Sequence, residues 1–240
     1  MPVLCALDIE TTGLRKDTDV ITVICLKLYD TGTRRVVRSD DLNVCLAREA
    51  EGQQEHEMKV YVRTVLNGSD KILAYNGKSF DIPFLSQWVE AEDTSLCRAW
   101  CDKTIDFLHE AKVRMNEFIS MDKVAKDNAL AMSKIATGLQ AIQWAHERQW
   151  QLLIEYCRAD VDVLLEIYER ARGSHGLRMA ARPRKKQGAP PPAITLFVTE
   201  SLQCVSAQSG DAGDDACGQQ TVKDIDCALQ TADDIDSIFA

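Results

Sequence analysis

Short apolar stretches separated by polar turns occupy the beginning of the chain. Residues 3–8, 20–29 and about 34–46 each have the length and the Val, Ile and Leu content of a β-strand. The residues DTGT at 30–33 separate the second stretch from the third, which predicts a hairpin turn. The first strand is apolar at nearly every position, so we expect both of its faces to be covered.

After these strands the apolar residues follow the helical period, interrupted by two more short strands. Three strands followed by alternating helices and strands indicate an α/β fold, with a mixed five-stranded sheet flanked by helices. In chain order the later predicted elements are a helix over QQEHEMKVYVRTVL, a strand over KILAY, a helix over SFDIPFLSQWVEA, a strand around KTIDFLH, and helices at about 120–130, 139–147 and 149–172.

The character of the sequence changes after Arg172. GSHG breaks the helix, RMAARPRKKQ is basic, and GAPPP favours an extended polyproline conformation. The remainder is rich in Ser, Gln, Gly and Asp. We therefore predict one domain over residues 1–172 and a mostly disordered, low-complexity tail over 173–240, in which AITLFVTESL forms at most one strand or a docking segment.

The predicted tail contains one internal repeat. TVKDIDCAL at 221–229 and TADDIDSIF at 231–239 share the frame T-x-x-D-I-D-x-x-[L/F]. Two acidic and apolar copies are typical of short motifs that bind a protein partner. The alternative is an acidic, solubilising segment that resembles itself by chance, since short Asp-rich stretches repeat easily.

The charge balance limits the kind of nucleic-acid binding that is expected. The net charge is −9, and acidic residues outnumber basic ones 28 to 22 in residues 1–172 and 9 to 6 in residues 173–240. This argues against tight, non-specific binding to a duplex. An acidic enzyme still acts on a polyanion where bound metal ions and a local basic rim offset its carboxylates.

Cysteine usage and hydropathy indicate the compartment. The nine cysteines form no CxxC pair, and Cys97 and Cys101 are the only close couple, so neither a zinc site nor a disulfide framework is predicted. No apolar run approaches the roughly 20 residues of a membrane span. The DIET stretch also begins too early to leave room for a cleavable signal. We expect a soluble intracellular protein, nuclear or cytoplasmic, with no membrane partner.

Five polar side chains are predicted to meet at one end of the sheet. Asp8 and Glu10 are two residues apart in a strand and therefore point to the same face. Tyr156 and Asp160 are four apart in a predicted helix and share a face as well. Asp81 falls near the start of its helix, where the dipole favours an anion. Unpaired charges in such a place are costly, so something positive is expected beside them.

Oxygen ligands without sulfur or imidazole suit Mg²⁺ or Mn²⁺. Two such ions about 4 Å apart clamp the attacking and leaving oxygens of an in-line phosphoryl displacement. We therefore interpret the carboxylates as metal ligands.

Three stretches together carry a family resemblance. DIETTG, the N-x-x-x-F-D of NGKSFD and the Y-x-x-x-D of YCRAD resemble, in this order, the motifs of the DEDDy group of 3′-5′ exonucleases, whose domains have a ribonuclease H-like fold. The segment from SMDKVAKDNAL to YCRADVDVL resembles predicted stand-alone exonucleases related to the proofreading domain of family-B DNA polymerases. The resemblance covers residues 1 to about 172.

The resemblance implies a role for each matching residue. Asp8 would bridge two Mg²⁺ or Mn²⁺ ions, Glu10 and Asp160 would complete the tighter site, and Asp81 would hold the second ion. Tyr156 would orient the attacking water and is a candidate to deprotonate it.

Further residues are implied to bind the substrate. In the family, the loop after the first motif grips the 3′-terminal nucleotide, and the second motif lines the path of the strand. Asp162, by contrast, faces about 200° away from Asp160 on the helix, and we predict it to be solvated. The matching substrate-binding residues are Thr11, Thr12, Leu14, Asn76 and Phe80.

Three functions remain open. The first is a two-metal-dependent 3′-5′ exonuclease that releases nucleoside monophosphates from the 3′ end of single-stranded or frayed DNA. The second is an exoribonuclease that trims RNA with the same residues, because discrimination rests on the 2′-hydroxyl, which no motif here reports. DNA is favoured over RNA as the partner. The third is an adaptor that recruits a replication or repair protein through residues 221–240.

Overall fold

The structure is a computed structural model, and the predicted repeats at 221–229 and 231–239 lie outside the residues that it describes, as does the second half of the basic run. The residues described are 2–49, 53–91, 93–131, 136–182, 191–199 and 203–207.

A mixed five-stranded sheet forms the centre of the fold, as predicted from the sequence. The strand order is β3-β2-β1-β4-β5; β1 is antiparallel to β2, β2 is antiparallel to β3, and β1, β4 and β5 are parallel. The strands are β1 (Val3–Thr11), β2 (Ile21–Asp30), β3 (Arg35–Asn43), β4 (Lys71–Ala74) and β5 (Thr104–Asp106).

Eight helices are found in the described part of the chain, five of them where the hydrophobic pattern predicts helices. None of the eight is long and apolar enough to cross a membrane. In chain order they are α1 (Val44–Glu49), α2 (Gln53–Gly68), α3 (Asp81–Val89), α4 (Thr94–Asp102), α5 (Phe107–Met115), α6 (Met121–Asp127), α7 (Gly138–His146) and α8 (Trp150–Arg172).

The three unpredicted helices, α1, α4 and α5, each begin at a polar side chain that caps the first turn. Asn43 accepts the Leu46 N–H at 3.0 Å, which ends the third strand three residues earlier than the predicted end at about 46. Asp93 accepts the N–H of Ser95 and starts α4. Asp106 accepts the N–H of His109 and starts α5. Short helices of this kind depend on their caps more than on a long apolar period.

The core lies on both faces of the sheet, and β1 contributes to both. Leu4 and Ala6 are fully buried on the face that α8 covers. Cys5, Leu7 and Ile9 point to the opposite face and pack among residues of α2, α3 and α4. This alternation is the period-2 pattern of a strand covered on both sides, as the sequence predicts.

A second, three-stranded sheet follows α8. Its strands β6 (Leu177–Ala180), β7 (Ala193–Val198) and β8 (Cys204–Ala207) are antiparallel, in the order β6-β7-β8. Fully buried Leu177 and Leu196 join the same apolar core as α8. The sequence predicted a tail with at most one strand here, whereas the described residues form three.

The turn between α8 and β6 requires a glycine. Gly176 has φ +63°, a left-handed conformation that L side chains rarely adopt. A Cβ atom there would also lie 2.7 Å from the ring of Phe197. The sequence pattern offered only AITLFVTESL, which contains β7, and did not reveal the sheet, because β6 overlaps the basic run and pairs with β7 across a Pro-rich stretch.

We expect Leu196→Ala to lower the free energy of unfolding by about 2–5 kcal/mol, because the side chain is fully buried in the main core. Val205→Ala on β8 is the control; this side chain is 40 % exposed, so the change should stay within about 0.5 kcal/mol. Urea denaturation of the full chain measures both. If the two variants lose equally little stability, the second sheet does not fold together with the core.

Candidate active site

The site is built around the carboxyl end of β1. Asp8 is partly buried and Glu10 is 8 % exposed; both lie on the α8 side of the strand. A β-bulge follows, between Glu10 and Thr11. The strand therefore changes direction directly after it has presented two carboxylates to the same face.

Asp81 covers the edge of β1 where β4 no longer pairs with it. The ladder between β1 and β4 ends at Ala6, and the N–H of Ile9 further along donates to Asp81 Oδ1 at 3.2 Å. Asp81 is the first residue of α3 and is 3 % exposed, so its charge also lies at the positive end of that helix. The structure thus brings the first and second motifs into direct contact.

The third motif approaches the same point from α8. Cys157 lies so close that its sulfur and carboxylate oxygens of Asp8 and Glu10 are all within 4.8 Å of one another. The Cys157 thiol donates to the backbone carbonyl of Asp8 at 3.3 Å. Asp160 follows one helical turn later on the same face and is 3 % exposed. Helix α8 therefore presents a carboxylate on the face that packs against the end of β1.

Tyr156, which also belongs to α8, is buried in the core. It is 2 % exposed, and its ring meets the ring of Trp144 on α7 edge to face, with centroids 6.1 Å apart. An edge-to-face contact of this kind fixes the orientation of a ring. The phenol proposed to orient water thus belongs to a side chain with a defined position.

The sequence did not predict Cys157 as a neighbour of the carboxylates, although it lies inside the third motif. Burial raises the pKa of its thiol well above the ordinary value, and the neighbouring Cys25 thiol and the charges of Asp8 and Glu10 act in the same direction. The group is therefore a neutral thiol that hydrogen bonds the strand. The carboxylates remain the hard donors of the cluster.

The surroundings of Asp162 differ from the predicted ones. Its side chain is 30 % exposed and forms an ion pair with Lys27 of β2, a residue that is itself 8 % exposed. Lys27 needs a partner because a buried ammonium without one is costly. The sequence prediction of a solvated aspartate was wrong, because α8 packs against β2 as well as β1, and this side of the helix faces Lys27.

The segment between β4 and α3 is held in place by Asp106, the last residue of β5. This carboxylate is 2 % exposed and accepts the backbone N–H of Asn76 and of Lys78, both at 3.0 Å, and of His109 at 3.1 Å. Asn76 has φ +67°, a conformation that asparagine tolerates better than most residues. Asp106 was not predicted as a site residue, because the sequence analysis places it inside a strand around KTIDFLH and predicts no helix directly after it.

A lysine reaches the same turn. Lys112 of α5 donates from Nζ to Asn76 Oδ1 at 3.3 Å and lies 5.3 Å from the ring centroid of Phe118. The turn itself borders the carboxylates, since a Cβ on Gly77 would lie 3.8 Å from Asp81 Oδ2. A positive charge thus lies at the rim of the acidic cluster.

The loop after β1 is closed by its own hydrogen bonds. Thr12 donates its N–H to the carbonyl of Val20 at 3.0 Å, and its hydroxyl accepts the N–H of Val20 at 3.1 Å. The Thr11 hydroxyl donates to the carbonyl of Gly13. A Cβ on Gly13 would lie 2.6 Å from the carboxylate of Asp19, so only glycine fits without a shift. The loop is compact and lies directly beside the carboxylates.

The other two predicted substrate-binding residues are partly buried. Leu14 lies in this same loop, and Phe80 precedes α3. The ring of Phe80 packs against that of Phe84, with centroids 4.9 Å apart. Leu14 follows Glu10 by four residues in the sequence, and Phe80 directly precedes Asp81.

The donor set fits hard divalent cations. Asp8, Glu10 and Asp81 meet at the end of β1, and Asp160 lies on the packed face of α8. Several carboxylates in a place with little solvent repel one another unless a cation is bound between them. Carboxylate oxygens are the ligands that Mg²⁺ and Mn²⁺ prefer.

We expect Asp106→Ala to lower the free energy of unfolding by about 2–4 kcal/mol, because it leaves backbone N–H groups of the turn and of α5 without their acceptor. Asp102→Ala, at the exposed end of α4, should change it by less than about 0.5 kcal/mol. Urea denaturation measures the difference, and equal stability of the two variants would contradict this role of Asp106.

Comparison with known families identifies the fold. The family model of the RNase H superfamily matches residues 5–172. Comparison with curated proteins gives no match. Similar solved structures include E. coli Exonuclease I in complex with a dA16 oligonucleotide, with a TM-score of 0.46, 12 % identity, and coverage of 70 % of this chain and 40 % of that one.

The complex of the same enzyme with a dT13 oligonucleotide gives a TM-score of 0.45, 13 % identity, and coverage of 69 % and 40 %. Exonuclease I in complex with the inhibitor BCBP gives 0.43, 13 %, and 73 % and 45 %. The chain therefore spans less than half the length of these structures. The assignment rests on the family match, which covers well over half of the chain.

Proposed function

We propose that this chain, which belongs to the RNase H superfamily, is a metal-dependent 3′-5′ exonuclease of the DEDDy type. Its substrate is the 3′ end of single-stranded or frayed DNA, and its products are nucleoside monophosphates. The observation that carries the proposal is the direct contact of the DIE strand with both Asp81 and α8, which the three motifs require if they form one centre.

The four carboxylates would hold two Mg²⁺ or Mn²⁺ ions. In support of this, Asp8 and Glu10 lie together on β1, Asp81 reaches β1 from α3, and Asp160 lies on the packed face of α8. When bound, such ions supply Lewis-acid stabilisation of the charge that develops on the phosphoryl oxygens. The chain contributes the positions of the ligands, which are set by a strand register, a helix start and a packed helix face.

Tyr156 is proposed to orient the attacking water with its phenol. The water must approach the phosphorus opposite the leaving 3′ oxygen, so its position has to be defined before the bond breaks. The packing of the Tyr156 ring against Trp144 would fix the phenol, and through it the position of the water. A general base at this position would further raise the nucleophilicity of the water.

The substrate strand is proposed to end beside the loop after β1. Thr11, Thr12 and Leu14 would contact the terminal nucleotide, because this loop is closed and adjoins the carboxylates. Asn76 and Phe80 would line the path of the strand on the other side. Lys112 adds a positive charge at Asn76, where a phosphate of the substrate would pass.

We expect Asp8→Ala to lower the rate of 3′ shortening by at least about 1,000-fold, because it removes the shared metal ligand. Asp122→Ala is the control; this residue lies on α6 in an ion pair with Lys126 and should leave the rate within about twofold of wild type. The measurement is a time course with Mn²⁺ on 5′-labelled single-stranded DNA and on RNA of matched sequence. Chelation by EDTA should stop the reaction.

The outcomes of this time course separate the possible functions. Faster shortening of the RNA would replace the DNA exonuclease by an exoribonuclease. No cleavage of either strand, or equal cleavage by Asp8→Ala, would refute the nuclease and leave the adaptor function of residues 221–240.

We expect Lys112→Ala to weaken binding of single-stranded DNA and to reduce the slope of log K against log[salt] by about 0.7, the value for one phosphate contact. Lys112→Arg should keep the slope, and Lys126→Ala, whose side chain is 69 % exposed on α6, is the control. Fluorescence anisotropy with Ca²⁺ in place of Mn²⁺ measures binding. An unchanged slope in Lys112→Ala would refute the phosphate contact and leave the nuclease proposal unaffected.

A further inference from the structure

Two ion pairs join α8 to the sheet beside the candidate site. Arg158 donates from Nε to Asp41 Oδ2 of β3 at 3.1 Å, and its Nη2 donates to the same oxygen. Asp162 pairs with Lys27 of β2. Arg158 comes two residues before Asp160, and Asp162 comes two residues after it. We call these the two α8 ion pairs; the proposed nuclease activity assigns them no role.

Helix geometry places the two α8 ion pairs and Asp160 on opposite sides of the packed helix face. At about 100° per residue, Cys157 and Val161 lie about 60° and 100° around the helix axis from Asp160. Both are fully buried in the main core. Arg158 and Asp162 lie further round, at about 160° and 200°. The helix therefore rests on the sheet through Cys157 and Val161, with Asp160 on one side of this contact and the ion pairs on the other.

The strand register aligns the partners of α8 with the carboxylates of β1. Asp8 on β1 lies opposite Cys25 on β2, and Cys25 lies opposite Asp41 on β3. Lys27 lies opposite Ala6, two residues before Asp8 on the same face. The two α8 ion pairs therefore bind the helix to the same rows of the sheet that carry the catalytic candidates.

We propose that the members of the two α8 ion pairs are positioning residues, which fix the rotation of α8 about its axis and thereby hold Asp160 at ligand distance from the carboxylates of β1. The inference rests on the proposed function, in which Asp160 is a metal ligand. A side chain extends about 5–6 Å from the axis of a helix, so a rotation of about 20° would move it by about 2 Å. Metal–ligand distances tolerate shifts of only about 0.2 Å.

Charged pairs suit this task better than apolar packing does. Apolar contacts are non-directional, so the buried face of α8 alone opposes a small rotation only weakly. Lys27 is 8 % exposed, and its ammonium would lose its partner if the helix turned. The planar guanidinium of Arg158 adds a direction. Because desolvation offsets the attraction within such a pair, its effect on the metal site should be separable from any effect on folding.

The first test replaces one ion pair by apolar side chains in the full chain. The double variant Lys27→Met/Asp162→Leu keeps the net charge and leaves no buried ammonium unpaired. We expect its urea midpoint, measured in EDTA, to equal or exceed that of the wild type. The dissociation constant for Mn²⁺ alone, measured from the EPR signal of free Mn²⁺, should rise by at least about tenfold, the usual effect of losing residues that orient a ligand.

The other ion pair and a conservative change extend the test. Arg158→Met/Asp41→Leu should raise the dissociation constant for Mn²⁺ by a similar factor. Asp162→Glu keeps the carboxylate and should stay within about threefold of the wild type.

A matched control removes an ion pair that lies within one helix. Lys123→Met/Asp127→Leu on α6 also keeps the net charge, and the side chains are both 22 % exposed. This pair does not connect α8 to the sheet, so the dissociation constant for Mn²⁺ should stay within about twofold of the wild type.

The effect should depend on Asp160. When Lys27→Met/Asp162→Leu is added to Asp160→Asn, the dissociation constant for Mn²⁺ should rise by no more than about twofold over that of Asp160→Asn alone. A further tenfold rise would overturn the proposal, because the ion pair would then act on the metal by another route.

Equal Mn²⁺ affinity in the wild type and both double variants would also overturn the positioning role. The same conclusion would follow if the loss of affinity accompanied a lower urea midpoint, because partial unfolding would then explain it. A loss as large in Asp162→Glu or in the α6 control would contradict the dependence on this geometry.

The nuclease assay separates this inference from the proposed function. On 5′-labelled single-stranded DNA, the Mn²⁺ concentration at half-maximal rate should rise in the double variants by the same factor as the dissociation constant. If the wild type bound Mn²⁺ more tightly than both double variants but did not cleave DNA, the nuclease would be refuted and the positioning of Asp160 would stand. Absence of Mn²⁺ binding by the wild type would overturn both.

Discussion

The register of one strand, β1, determines where all other parts of the site must lie. β1 is hydrogen bonded on both edges and buried on both faces, with Leu4 and Ala6 towards α8 and Leu7 towards α3 and α4. A slip by one residue would exchange the two faces. It would place Leu7 against α8 and turn Asp8 and Glu10 away from it. The apolar core therefore defines the position of the carboxylates before any metal or substrate is involved.

A layer of hydrogen bonds behind the carboxylates holds the backbone that carries them. Asp81 accepts the N–H of Ile9, the Cys157 thiol donates to the carbonyl of Asp8, and Asp106 accepts two N–H groups of the turn before α3. These bonds join β1, α3, α8 and β5, which are far apart in sequence. The carboxylates of the candidate site are therefore preorganised, because the backbone that carries them is already held in place.

The elements with a long apolar period were predictable from the sequence, and those that depend on a single side chain were not. Strands β1 and β2 and helices α2, α3 and α8 follow directly from spacing. Helix α4 instead depends on the cap Asp93, and β6 and β7 depend on pairing across a Pro-rich stretch. Non-local pairing of short strands has no periodic signal, and a cap residue is common in loops that start no helix.

Some residues of the candidate site were likewise predictable from the sequence, and others were not. Asp8, Glu10 and Asp81 carry charge at the ends of apolar runs, which is unusual enough in a sequence to be noticed. Asp106 and Lys112 act on the site through the backbone and side chain of Asn76. Their importance depends on a contact between α5 and the turn before α3, so it became visible only with the fold.

The second sheet changes what counts as the complete folding unit. The three exonuclease-like motifs and α8 all end by Arg172, yet Leu177 and Leu196 beyond it are fully buried against the same core as Val161 and Leu164. A chain shortened to the last residue of α8 would keep every carboxylate of the site but leave an apolar face of that helix in water. Aggregation of such a fragment would then reflect a missing cover rather than a defect in the site.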